Sequence, residues 1–117
     1  MAFDQGLVDW VIEAMEPAGT VTMRRMMGVA TLYYQDRIFA TVDDEAIWFK
    51  ADALSNAIWE EAGCERFSFE SGGKIEHMNY RRAPADVYDD ADALREWAAL
   101  AIEAGQRAPA KRAKKKR

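Results

Sequence analysis

"TVTMRRMMGVATLYYQDRIFATVDDEAIWFK", residues 20–50, is the stretch on which the fold turns. It is rich in β-branched and aromatic residues and is interrupted at Gly28, at Gln35-Asp36 and at Asp43-Asp44-Glu45. The runs between the breaks, "TVTMRRM", "VATLYY", "RIFATV" and "AIWFK", lie too close together for crossover helices. They predict four strands in an antiparallel meander. Along the first, alternation sends Thr22, Arg24 and Met26 one way and Val21, Met23 and Arg25 the other, so the two arginines form no paired clamp. The arginine on the helix-covered side needs an acidic partner if it is buried.

Apolar groups stand on both alternating sides of the middle strands. Leu32 and Tyr34 oppose Val29 and Tyr33, Phe39 opposes Ile38 and Val42, and Trp48 opposes Ile47 and Phe49. One helical layer covers one side of a sheet, and a solvated second side ordinarily reads polar. Two coverings are open: a second copy or another protein, or a helix crossing over together with aromatics that tolerate partial exposure.

Outward from this stretch the period changes. Phe3, Leu7, Val11 and Met15 recur at every fourth position with Val8 and Ile12 beside them, predicting an amphipathic helix from Phe3 to Met15 that ends at Glu16-Pro17. After the meander, Asp52 is placed to cap a helix over Ala53 to Ala62, with Leu54, Ala57, Ile58 and Glu61 on one face and Gly63 as a left-handed stop. "RFSFE" and "KIEHMNY" flank Ser71-Gly72-Gly73 as a hairpin. Asp90 opens a last helix, with Leu94, Trp97, Ala98 and Ala101 on one face and Gly105 as its stop. The expected fold is α+β, a two-layer α/β arrangement with an antiparallel sheet in the order α-β-β-β-β-α-β-β-α.

With 117 residues, half of them apolar, the chain supports one core, and the domain is set at residues 1–107. Residues 108–117 read as a disordered basic tail. Lys111, Arg112, Lys114, Lys115, Lys116 and Arg117 crowd its last seven positions; setting these six of sixteen cations aside leaves ten against twenty acids, a body of charge −10. An acidic body repels phosphates while a cationic tail attracts any polyanion. No interleaved aromatics accompany the tail lysines, so base stacking is not expected there.

No apolar run is long enough to span a membrane and the opening "MAFDQG" lacks a secretory pattern, so a cytoplasmic setting is expected. Cys64 is the only cysteine and His77 the only histidine, which leaves no disulfide and no zinc cluster to assemble. His77 reads as a hydrogen-bonded structural residue, Cys64 as an inert thiol and Gly28 as a turn needing positive φ. The acids Asp43, Asp44, Glu45, Glu60, Glu61, Asp89, Asp90 and Asp92 fall in turns or at helix starts. No catalytic residue, cofactor or metal is expected.

"RRMMG" at 24–28 is followed by "LYY", "IFATV" and "DEAIWFK", then by "WEEAGCERFSFE" at 59–70, "HMNYRRAP" at 77–84 and "DADALREWAALAIEA" at 90–104. In the order and spacing of these motifs, residues from about 15 to 104 resemble the N-terminal domain of the TfoX/Sxy family, with "RRMMG" standing for its arginine-x-methionine-phenylalanine-glycine signature. Met27 stands where phenylalanine is usual and Val29 where a second glycine is common. The resemblance implies a two-layer α/β fold without catalytic machinery, and a regulatory or partner-binding role of the kind that bacterial competence regulators play. The expected partner is a protein or a second copy of the chain, on a surface comprising Arg24, Arg25, Met27 and Gly28 and the sheet face around Tyr34 and Trp48. The alternative is a nucleic-acid-associated protein that uses the six tail cations for non-specific binding.

Overall fold

Asp4 starts the first helix rather than lying within it: its carboxylate accepts from the backbone N–H groups of Gly6 and Leu7, so α1 runs Gln5–Met15. The structure, a computed structural model, describes residues 3–26 and 28–108. The four-strand expectation holds as β1 (Val21–Met26), β2 (Val29–Tyr34), β3 (Arg37–Val42) and β4 (Ile47–Lys50). Then follow α2 (Asn56–Glu61), β5 (Arg66–Ser71), β6 (Lys74–Arg82), a single 3-10 turn over Ala85–Tyr88, and α3 (Ala91–Arg107). The six strands form one antiparallel sheet in the order β1-β2-β3-β4-β6-β5. Strand β6 therefore joins the meander and leaves β5 at the edge. Among the described residues no helix is long and apolar enough to cross a membrane.

Both long helices pack on the same side of the sheet. Val8, Val11 and Met15 of α1 and Leu94, Ala98 and Ala101 of α3 join Ala30, Leu32, Val42, Ile47 and Phe49 in one core. A β-bulge corrects the simple alternation: Leu32 pairs with Ala40 and Tyr33 with Ile38, which leaves Phe39 as the extra residue. Phe39 is thereby fully buried in the core beside Val42 instead of opposing it.

Two helix boundaries differ from expectation for identifiable reasons. Helix α2 is shorter than Ala53 to Ala62, because Asp52 is engaged in a turn with Ser55 and in a two-point ion pair with Arg107. Its buried residue is Trp59, stacked between Phe49 and Trp97 at centroid distances of 5.8 and 4.8 Å, whereas Leu54 and Ile58 of the expected face are exposed. Helix α3 does not stop at Gly105. A Cβ there would lie 2.6 Å from the Ile38 carbonyl oxygen, so this glycine permits close approach of helix to strand.

The turns follow their residues. Gly28 has φ 83°, and Gly72 and Gly73, at φ 58° and 81°, make the two-residue β5–β6 turn. The β2–β3 turn reaches the same region without glycine, at Gln35 (φ 53°) and Asp36 (φ 66°).

Candidate macromolecular-interaction face

The strand registers give the sheet a second side that faces away from α1 and α3. From β1 it presents Thr22, Arg24 and Met26; from β2 and β3 it presents Thr31, Tyr33, Ile38 and Thr41. Strand β4 adds Trp48 and Lys50, and β6 adds Tyr80 and Arg82. Phe67 and Phe69 of the edge strand complete an aromatic row, with Trp48 edge-on to Phe67 at 5.0 Å and Phe67 6.2 Å from Phe69.

Cations cover this side. The Arg24 guanidinium lies 5.7 Å from the Tyr33 ring centroid, the Lys50 ammonium 5.4 Å from Tyr80, and the Arg82 guanidinium 5.6 Å from Trp48. No helix packs on this side among the described residues, and the long side chains of the sheet's own cations fold over its rings. Trp48 is 6% exposed although it stands apart from the main core, and its Nε1 donates to Asp43 Oδ2 at 3.0 Å. Phe69 and Met26 remain 42% and 44% exposed. The Tyr33 hydroxyl donates to the Met26 sulfur at 3.7 Å.

Burial pushes the Tyr80 hydroxyl above its ordinary pKa, with Tyr33 adding to the shift, so Tyr80 stays a protonated donor at neutral pH. The charge of this side contrasts with the body. Of the body's ten cations four stand on it, Arg24, Lys50, Lys74 and Arg82, and of its twenty acids one, Glu76. Asp43 and Glu45 lie at its rim in the β3–β4 turn, and Glu45 approaches Arg82 at 3.9 Å.

The expected site residues are divided by this geometry. Arg24 and Arg25 do point to opposite sides. Arg25, on the helix side, is exposed and lies 5.0 Å from the Phe3 ring instead of meeting an acid. Tyr34 and Trp48 do not share a face: Tyr34 packs against the core and donates its hydroxyl to the Ala18 carbonyl at 2.8 Å. Gly28 sits at the β1–β2 turn beside Met26 and Val29. Met27 and the tail cations Lys111, Arg112, Lys114, Lys115, Lys116 and Arg117 fall outside the described residues.

Sequence reading missed Tyr33, Lys50, Tyr80 and Arg82 as one surface. The available signal was their place on one alternating set; what joins the sets is the β4–β6 pairing, which places Lys50 opposite Tyr80 and Trp48 opposite Arg82. It also missed Arg81, which is 3% exposed on the helix side and donates to the Cys64 carbonyl (3.0 Å), Glu60 (2.7 Å) and Asn56 (3.4 Å). Burial raises the pKa of the Cys64 thiol, against a smaller lowering by Arg81, which keeps it protonated. His77 is exposed on β6. Among the described residues no three His, Cys, Asp or Glu side chains converge to hold a metal ion.

The family model described as the TfoX N-terminal domain matches residues 13–105, from the end of α1 to the last turns of α3. No curated protein matches the chain.

Proposed function

The chain belongs to the TfoX N-terminal domain family, and from that premise we propose that it is a regulatory domain which works by docking a partner macromolecule, without catalysis of its own. The docking surface is the helix-free side of the sheet. The observation that carries this reading is the set of three cation–ring pairs, Arg24–Tyr33, Lys50–Tyr80 and Arg82–Trp48, gathered on the one side that the helices leave open. Rings and cations in alternation supply both apolar contact and charge, the combination on which binding surfaces depend. Control of bacterial competence, in the cytoplasm, is the process to which the family points.

The test is affinity capture from a bacterial cytoplasmic extract, with and without nuclease, using the full chain and two variants. Arg24→Glu with Lys50→Glu alters the helix-free side, and Arg25→Glu alters the opposite one. The reading expects the double variant to lose a captured macromolecule that the parent and Arg25→Glu retain. Identical capture by all three would count against it.

A further inference from the structure

We propose that the helix-free side of the sheet binds single-stranded nucleic acid, its rings receiving bases and Arg24, Lys50 and Arg82 receiving phosphates. This rests on the reading of that side as the partner surface and names the class of partner. A single strand differs from other polyanions in offering unstacked planar bases alongside its charges, so it is bound by aromatic platforms interleaved with cations. That interleaving is absent from the basic tail and present on the sheet, assembled from strands distant in sequence: Tyr33 from β2, Tyr80 from β6, Phe67 and Phe69 from β5, with the buried Trp48 of β4 supporting Phe67 from beneath.

Charge fixes the orientation. Asp9, Glu13, Glu96 and Glu103 are exposed on α1 and α3, so the helical side repels a phosphate backbone, while four of ten body cations and one of twenty acids stand on the sheet side. Five spacings between six strands give this side a width of about 24 Å, enough for several nucleotides. An acidic protein offers the charge without planar bases and leaves the aromatic row unexplained. A duplex keeps its base faces stacked inside and offers aromatic rings only groove edges and backbone.

The experiment is fluorescence anisotropy of labelled single-stranded RNA and DNA of about ten nucleotides, read against the full chain across a range of salt. Duplex of the same sequence and polyglutamate serve as competitors. Single strands are expected to bind and to outcompete both. Arg24→Gln with Lys50→Gln removes two phosphate contacts, which lowers the log–log salt slope by about 1.4 and weakens binding about 25-fold at 0.1 M salt. Phe69→Ala, truncating an exposed ring that leaves the core intact, weakens binding about 5-fold or more. Arg25→Glu, on the other side, leaves the aromatic platform untouched and serves as the control.

Three results overturn the inference. Loss of binding on deletion of residues 109–117, with no effect of the sheet variants, assigns it to the tail alone. Equal competition by duplex removes the role of the rings. Binding of polyglutamate through Arg24 and Lys50 without binding of oligonucleotides replaces nucleic acid by an acidic protein, and in that case the partner-surface reading stands while this inference falls.

Discussion

Asp52 and Arg107 tie the entrance of α2 to the last turn of α3: Arg107 Nε lies 2.6 Å from one carboxylate oxygen of Asp52 and Nη2 2.8 Å from the other. This two-point bond lowers the Asp52 carboxyl from 3.8 to about 2, with its hydrogen bonds from Ser55 helping and burial opposing. A depressed folded pKa contributes stability that is fully present above 3.8 and is lost as pH falls through about 2. Because the pair is partly solvated, Asp52→Asn is expected to cost no more than about 1 kcal/mol at neutral pH. Urea titrations of parent and variant at pH 7 and near pH 2 check this; a gap that persists undiminished at the acid end contradicts the assignment.

Gly105→Ala is expected to destabilise the domain by about 1–3 kcal/mol. The added methyl meets the Ile38 carbonyl, a backbone atom on a central strand that has no rotamer by which to retreat. An unchanged denaturation midpoint would mean that helix and strand part to admit the methyl, and would contradict the close-approach role of Gly105.

The β2–β3 turn stands in the left-handed region with Gln35 and Asp36, residues less suited to it than Asn-Gly. Replacing the pair by Gln35→Asn with Asp36→Gly is expected to raise stability by about 0.5–1 kcal/mol, visible as a higher melting temperature. A fall would mean that the native side chains hold the turn through contacts of their own.

Arg81 and Glu60 are bonded to each other yet unequal in consequence. Arg81→Ala leaves the Cys64 carbonyl without its buried donor and is expected to cost about 1–3 kcal/mol. Glu60→Ala removes a side chain that is 66% exposed, whose place water takes, and is expected to cost under about 1 kcal/mol. Equal losses in urea denaturation would make the salt bridge, rather than the carbonyl contact, the source of stability.

Much of the fold is written in local chemistry. Strands, both glycine turns, the Asp90 cap and the apolar stripes of α1 and α3 all follow from periodicity and from residues with narrow backbone preferences. What local reading misses is set by tertiary contact. Asp52 accepts the Ser55 N–H as a cap does, yet a guanidinium 55 positions away also binds its carboxylate. Phe39 changes sides because a bulge adds one residue, and Gly105 looks like an ending until Ile38 is seen against it. The candidate face was half legible. Arg24 and Trp48 belong to it, but local reading groups Tyr34 with Trp48 across an alternation that separates them and passes over its neighbour Tyr33. The cation–ring pairs come from strand pairings, and no single stretch of sequence displays them.

Amide chemical-shift mapping of the full chain, as single-stranded oligonucleotide is added, locates the binding surface residue by residue. Shifts are expected to concentrate at Arg24, Tyr33, Thr41, Trp48 and Tyr80, with α1 and α3 quiet. Shifts confined to residues 109–117 or to the outer surfaces of the two helices, with that set of five unmoved, would contradict binding on the helix-free side.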